Sequence, residues 1–215
     1  MNFQVVDIEH WDRKSAYEFF MEKGTEMTLS VDLDITHFDQ YRKEQNLRYF
    51  ASFLYIVSRS LNEFPEFRTT LDRQKTPIVW DRIGPSFPAR NHLERMINTS
   101  SVYDPNFSVF YTGVLSALEK AYTQEENEFR ESKPENFFLC SYVNVSFHQA
   151  GMMSTKMMDH VPTVFWGKSF LAADRVQLPF SITFHHAFAD MGHFVQLFER
   201  IESYCSRPAE ILKLS

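Results

Sequence analysis

Residues 25–34, TEMTLSVDLD, alternate strictly between apolar and polar side chains, and no other feature of this chain constrains the fold as strongly. A period of two places the two sets on opposite faces of a β-strand, so the segment predicts a strand with one buried face. Such a face is stable only when another layer covers it, which favours a sheet with helices packed on it. The apolar set is Met27, Leu29, Val31 and Leu33.

Helical spacing of apolar residues supplies that second layer. Residues 11–23 predict a first helix that ends at Gly24, and Thr36 with Asp39 resembles a capping box for a short helix. Three longer helices are expected after Arg48, from Phe107, and at the end of the chain. Their apolar stripes are Phe50, Phe53, Leu54, Val57 and Leu61; Phe110, Tyr111, Val114, Leu115, Leu118 and Ala121; and Phe194, Leu197, Phe198 and Ile201.

Further strands are predicted in the middle and last third of the chain. Phe67–Leu71 and Ile78–Trp80 predict a hairpin, and FFLCSYVNVS, VPTVFW and VQLPFSITF predict three strands, the last two joined by a turn at Ala172–Arg175. Residues 84–106 are rich in Pro, Asn and Arg and predict a loop, and residues 124–136 form a charged linker. No internal repeat is visible. The sum is one α+β domain over residues 1–215, a mixed β-sheet with helices packed on it.

Composition excludes several classes of function. Hydrophobic residues make up 44% of the 215 residues and the net charge is -6, which is typical of a packed globular protein without a basic surface for nucleic acid. The first residues lack the pattern of an export signal and no apolar stretch is long enough to span a membrane, so a cytoplasmic protein without membrane contact is expected. Cys140 and Cys205 form no C-x-x-C motif and are predicted to be buried, reduced thiols.

The segment HHAFADMGHF, residues 185–194, joins a predicted strand to a predicted helix and carries the chemistry. His186 and Asp190 are four residues apart, so in a helical turn the carboxylate would reach the ring or the backbone around His186 and fix the orientation of the ring for proton abstraction. Two alternatives stay open at this point. The histidines are structural, or His186, Asp190 and His193, at i, i+4 and i+7, present one helix face to zinc.

The same segment, after LPFSITF, resembles the His-His-x-x-x-Asp signature of chloramphenicol acetyltransferases. Other segments match that family in the same order along nearly the whole chain. They are Trp11-Asp12-Arg13-Lys14, like its W-x-R-K; 31–36, like its strand ending in D-I-T; Glu66-Phe67-Arg68, like its E-F-R; Val79-Trp80-Asp81; Val145-Ser146-Phe147, with its S-F pair; and 162–168, like its strand that ends near a Lys.

The resemblance implies a homotrimer in which each active site lies between subunits. It also implies transfer of an acetyl group from acetyl-CoA to a hydroxyl of chloramphenicol or a similar small molecule, without a metal or an acyl-enzyme. His186 would be the general base and Ser146 the donor to the oxyanion. Asp190 and Arg13 would form a buried ion pair that holds the loop carrying His186. Arg48 and Lys168 would bind the phosphates of CoA.

Several positions depart from the family pattern. Met191 stands where the family has Gly, Phe165 where it has Thr, and Ser141-Tyr142 where it has P-W. The segments that shape the acceptor pocket, 25–28 and 86–106 with Arg90 and Arg95, differ as well, although Met152 and Met153 offer an apolar slot for an aryl diol. Three alternatives follow: another alcohol or amine acceptor, a core resembling dihydrolipoamide acyltransferases, or a binder that has lost turnover.

Overall fold

A computed structural model of the chain describes residues 2–126, 137–152 and 160–214. Its helices are α1 (Lys14–Lys23), α2 (Thr36–Glu44), α3 (Tyr49–Glu63), α4 (Phe107–Thr123), α5 (Met191–Ser206) and α6 (Pro208–Ile211). Its strands are β1 (Phe3–Val5), β2 (Glu26–Asp34), β3 (Thr69–Leu71), β4 (Pro77–Trp80), β5 (Gly84–Arg90), β6 (Met96–Ser100), β7 (Phe137–Tyr142), β8 (Thr163–Trp166), β9 (Phe170–Ala172) and β10 (Arg175–His185).

The main sheet is mixed, as predicted. It has the order β2-β10-β8-β7-β5-β6, with β9 also paired to β10, and its β7 runs parallel to both β5 and β8 while the other pairs are antiparallel. A smaller antiparallel sheet, β1-β4-β3, contains the predicted hairpin of β3 and β4. The α+β fold class is confirmed, and β10 is the long strand that leads to the His-His segment.

The register of β2 with β10 places the apolar residues of both strands on one face of the sheet and polar residues on the other. Val31 lies opposite Phe180 and Leu29 opposite Ile182, and this face packs against α3 and α5, where the Phe180 ring lies 5.9 Å from that of Phe198. On the other face Thr28 and Thr183 share a hydrogen bond of 2.7 Å. Two adjacent strands therefore present one apolar face to the core and one polar face away from it.

The prediction of a loop over residues 84–106 was wrong, because β5 and β6 form a hairpin there. The first three residues of β5 also pair with β7, so the segment lies inside the sheet. Proline is tolerated in a strand where only one side is paired, and Pro88 lies past the part of β5 that contacts β7. Composition indicated a loop, whereas the neighbouring strands decide the structure.

Two local predictions also need correction. Helix α2 forms, but without the capping box: Ile35 is the N-cap, the Thr36 hydroxyl donates to Asp34 Oδ1 at 2.6 Å, and Asp39 pairs with Arg42 and Lys43. The turn before β10 joins it to β9 rather than to β8, and its two residues, Ala173 and Asp174, have φ of 47° and 63°. Positive φ at both positions is typical of a type I′ hairpin.

Several other expectations are confirmed. Helix α1 ends at Gly24, which adopts the left-handed conformation with φ 62°. Cys140 and Cys205 are free and buried, and burial raises the pKa of both thiols. Within the described ranges, no helix has both the length and the apolar character needed to cross a bilayer.

Candidate active site

His186 follows the last residue of β10, and four contacts hold it. Its backbone N–H donates to Thr25 O at 2.9 Å, and its ring stacks on Phe20 of α1 with the centroids 3.7 Å apart. Nδ1 lies 3.0 Å from Ala189 O, and because a carbonyl oxygen only accepts, Nδ1 carries the proton. Arg13 Nη2 donates to the His186 carbonyl at 3.3 Å. The lone pair is thereby left on Nε2 of a partly exposed ring.

Of the two contacts that the spacing allowed, to the ring of His186 or to the backbone around it, the hydrogen bonds of the Asp190 carboxylate among the described residues include backbone contacts and none to the ring. Residues 186–190 are not helical, because α5 begins only at Met191 with Asp190 as its N-cap. Asp190 Oδ1 accepts from the backbone N–H groups of Gly192 at 3.0 Å and His193 at 3.4 Å. The carboxylate therefore orients the backbone of the loop rather than the imidazole.

Arg13 provides the other contact of that carboxylate. Its Nη1 donates to Asp190 Oδ2 at 2.7 Å, and the arginine side chain is only 14% exposed. Partial burial alone would raise the pKa of Asp190, but the hydrogen bond from Arg13 and the nearby His193 lower it below its ordinary value. With Nη2 on the His186 carbonyl, one guanidinium spans both ends of the loop.

His185 lies on the buried side of the pair. Its Nδ1 accepts from Ala187 N–H at 3.2 Å, and its ring lies 4.8 Å from that of His160. Burial, together with the neighbouring His160 and His186, lowers the pKa of His185 to about 4. This ring is therefore neutral at neutral pH and contributes to packing.

The zinc alternative does not match the geometry of these residues. His186 precedes the helix, so His186, Asp190 and His193 do not share one helix face. His193 Nδ1 instead lies 3.1 Å from Asp190 N, within the cap of α5. In the ranges that the structure describes, no group of three potential metal-binding side chains occurs.

Ser146 lies away from His186, on a segment beside the middle of β10 near Pro179. It is exposed and follows Val145, whose carbonyl accepts from Lys168 N–H at 3.0 Å, while Gly167 N–H donates to Pro179 O at 2.9 Å. Pro179 precedes His186 by seven residues, which corresponds to about 20 Å along a strand. Within one subunit, therefore, the predicted base and the predicted oxyanion donor are not brought together.

Arg48 and Lys168 lie on different segments, and Lys168 contacts the segment of Ser146 through its backbone N–H to Val145 O. Both are exposed, and Arg48 precedes Tyr49, whose ring lies 6.3 Å from that of Tyr142. A cavity of about 840 Å³ has Phe50, Tyr142 and Asn144 in its wall. Phe50 follows Arg48 by two residues and Asn144 precedes Ser146 by two, so the cavity contacts the segments that follow Arg48 and precede Ser146, and its own charged lining residues are Arg90 and Glu94.

The departures from the family pattern have different structural consequences. Met191 is the first residue of α5 and is not among the residues with positive φ, so its side chain causes no backbone strain there. Phe165 lies opposite Ser181, on the polar face of the sheet. In the proposed apolar slot, Met152 is 48% exposed, and Met153 lies outside the described residues.

The sequence analysis did not predict that Phe20 and Glu66 contribute to this site, or that His193 is part of the cap of α5. The Asp-x-x-His spacing at 190–193 resembles a capping box and was a usable signal for His193. The stacking of Phe20 on His186 is a tertiary contact between residues 166 positions apart. No local pattern encodes it.

Comparisons with known proteins agree with this architecture. A family model described as chloramphenicol acetyltransferase matches residues 1–202. Chloramphenicol acetyltransferase 2 of Escherichia coli is 29% identical over 210 residues, covering 95% of this chain and 98% of the relative. A solved chloramphenicol acetyltransferase superposes with a TM-score of 0.86 at 23% identity, over 95% of this chain and 100% of that one. A dihydrolipoamide acetyltransferase of Azotobacter vinelandii superposes with 0.68 at 16% identity, over 93% and 88%.

Proposed function

This chain belongs to the chloramphenicol acetyltransferase family of acyltransferases, and from that premise we propose that it transfers the acetyl group of acetyl-CoA to a hydroxyl of chloramphenicol or a similar small molecule. We further propose that it acts as a cytoplasmic homotrimer without a metal. The observation that carries the proposal is the tautomer of His186, whose Nδ1–H is bound by Ala189 O and whose Nε2 lone pair is free.

In the proposed reaction, His186 Nε2 takes the proton of the acceptor hydroxyl as that oxygen attacks the thioester carbonyl of acetyl-CoA. The C–O bond forms, and the tetrahedral intermediate then collapses with cleavage of the C–S bond. The leaving thiolate takes the proton from the His186 imidazolium, so the products are an acetyl ester and free CoA. A neutral imidazole of defined tautomer suits both proton transfers.

Ser146 is the proposed donor to the oxyanion, a contribution of about 3 kcal/mol in comparable sites. Because it lies about 20 Å from His186 along β10, the donor would be Ser146 of the partner subunit. Its exposure in one subunit fits a residue that faces a neighbouring surface. This separation supports an assembly in which each site combines His186 of one subunit with Ser146 of the next.

The cavity of about 840 Å³ between Phe50 and Tyr142 is the proposed site for part of CoA. Its lining is largely apolar, which suits the pantetheine and adenine groups, and we propose that Arg48 and Lys168, which are both exposed, bind phosphate. Replacing either cation should raise KM for acetyl-CoA without a matching fall in kcat, because a contact to a phosphate of CoA is the same in the ground state and in the transition state.

A second candidate is transfer to a different alcohol or an amine. The supporting observation is Glu26, which lies opposite His185 in the register of β2 and β10 and whose pKa is raised by burial. A carboxylate near the base would favour an acceptor with a complementary positive charge. The catalytically silent alternative is weakened, because Met191 fits the first turn of α5 without strain.

The first experiment measures thiol release from acetyl-CoA with and without chloramphenicol, using a His186→Ala variant as the control. Thiol release that depends on both chloramphenicol and His186 is the expected result. Thiol release with other alcohols or amines but not with chloramphenicol would support the second candidate. Binding of chloramphenicol without any thiol release would contradict the proposal of an enzyme.

Assembly is tested by mixing two inactive variants. Co-expressed His186→Ala and Ser146→Ala subunits form mixed trimers, and some of their sites combine a native His186 with a native Ser146 from different subunits. Activity restored only in the mixture is expected. A mixture as inactive as its components would overturn the shared site.

A further inference from the structure

A cavity of about 400 Å³ lies next to the loop that carries His186, and Phe20, which stacks on that ring, is not among its lining residues. Its lining includes Trp11, Arg13, Glu66, Asp190 and His193. Three sequence segments that are far apart in the chain, 11–14, 66–68 and 185–194, therefore meet around one space. The resemblance assigns a role to Arg13 and Asp190, and none to Glu66 or His193.

His193 is the third residue of α5 and closes a capping box with Asp190. Its Nδ1 lies 3.1 Å from the backbone N of Asp190 and 2.9 Å from the carboxylate Oδ1 of the same residue. A neutral ring accepts the Asp190 N–H, and a protonated ring donates to the carboxylate. In either protonation form, His193 binds the residue that ends the catalytic loop.

Glu66 contacts the far side of the same ring. Its Oε1 lies 3.5 Å from His193 Nε2. The 3₁₀ turn Pro65–Arg68 that carries it is anchored by the fully buried Phe67, whose ring lies 5.7 Å from those of Phe184 and Phe194. Glu66 thus extends from a rigid part of the core toward His193.

From these contacts we infer that His193, braced by Glu66, is a positioning residue for acetyl transfer. Arg13 binds Oδ2 of Asp190, and His193, in the first turn of α5, contacts the backbone N and Oδ1 of the same residue. Asp190 follows Ala189, whose carbonyl fixes the tautomer and direction of the His186 ring. Loss of His193 would therefore let Ala189 and the His186 ring shift together. The inference rests on the proposed function of His186 as the base.

The test compares two substitutions at one position. His193→Leu removes both ring nitrogens, whereas His193→Gln keeps a side chain that reaches back to the N-cap N–H in a capping box. We expect His193→Leu to lower kcat for chloramphenicol acetylation by about 10- to 100-fold, since small misplacement of a catalytic group has effects of this size. KM for acetyl-CoA should change less than about twofold, and His193→Gln should restore most of kcat.

A matched control is available near the start of the chain. His10 pairs with Asp7, the N-cap of an exposed turn, at the same i, i+3 spacing and at 2.8 Å. His10→Leu removes an equivalent histidine away from the loop, so it should leave kcat unchanged. Glu66→Gln, which keeps the shape of the side chain but removes its charge, should lower kcat less than His193→Leu does.

Hydrogen exchange provides a measurement that does not depend on turnover. In His193→Leu, amides of residues 186–194 should exchange faster while those of α3 keep the wild-type rate. Equal loss of kcat in the Leu and Gln variants, or faster exchange in α3 as well, would overturn the positioning role. If the wild type fails to acetylate chloramphenicol, the proposed function fails, and the exchange data still decide whether His193 orders the loop.

Discussion

Two regions along β10, the one after its last residue and the one beside Pro179 near its middle, differ in the contacts that hold the candidate catalytic side chain. At the carboxyl end, His186 is held by Thr25, Phe20, Ala189 and Arg13. Beside the middle of β10, near Pro179, Ser146 is exposed on the segment after β7, whose backbone contacts include Lys168 N–H to Val145 O and Val145 N–H to Val143 O. The proposed base is therefore held by contacts within its own subunit, whereas the proposed donor is exposed.

The difference follows from what each group needs in order to act. A general base needs a fixed tautomer and direction, and backbone carbonyls and ring stacking supply both within one chain. An oxyanion donor needs only an O–H placed at the reacting carbonyl, and that position is defined by where the thioester lies. We therefore expect subunit assembly to add more contacts around Ser146 than around His186.

Removal of His186, the proposed base, should have the largest effect on the rate. His186→Ala should lower kcat by about 10²- to 10⁴-fold, the range for loss of general base catalysis, with KM for acetyl-CoA kept. Steady-state kinetics and calorimetry of CoA binding measure the two quantities. Retention of wild-type kcat would exclude His186 as the base.

Removal of the proposed oxyanion donor should have the next largest effect. Ser146→Ala should lower kcat by about 10²- to 10³-fold, since the donor stabilises only the transition state. Its melting temperature should match the wild type, because the exposed hydroxyl is not part of the core. A large fall in melting temperature with little loss of kcat would instead indicate a structural serine.

Loss of the ion pair between Arg13 and Asp190 should have a smaller effect on the rate. Arg13→Met removes the contacts to Asp190 and to the His186 carbonyl, and kcat should fall by about 10-fold or more as the loop shifts. Arg175→Met is the matched control, because Arg175 pairs with Asp34 at 2.8 Å at the other end of β10. An exposed pair contributes little to stability, so this variant should behave as the wild type. Equal kinetics for the two variants would contradict a role for Arg13 in holding the loop.

His185 should affect stability without a comparable effect on rate. Its pKa of about 4 in the folded protein lies below the ordinary value of 6.5, so the unfolded chain binds a proton first as the pH falls. The stability linked to this neutral ring is present above about pH 6.5 and is lost as the pH falls toward 4, by up to about 3 kcal/mol.

Urea unfolding of the wild type and of His185→Phe at about pH 7 and about pH 4.5 measures this difference. The variant should lose less stability than the wild type between the two pH values, because it lacks the group that the unfolded chain protonates. The same pH dependence in both proteins would show that His185 titrates alike in the folded and unfolded chains.

Much of the fold was predictable from periodicity within single elements. The alternation at 25–34, the stripe after Phe107 and the closing helix each depend on how apolar side chains repeat along one strand or helix. The order of motifs also indicated the family, which the match over residues 1–202 confirms. These are local properties, so one sequence is enough to show them.

Other features were decided only by the tertiary structure. The hairpin of β5 and β6 depends on pairing with β7, and the real role of Asp190 depends on where α5 begins. Phe20 and Glu66 come from distant segments and meet the loop through packing that no spacing reveals. The sequence alone determined which side chains are available and which elements carry them. Their distances, including the roughly 20 Å that keeps Ser146 from His186 in one subunit, arise when strands and helices pack, because contacts between remote segments depend on the whole chain.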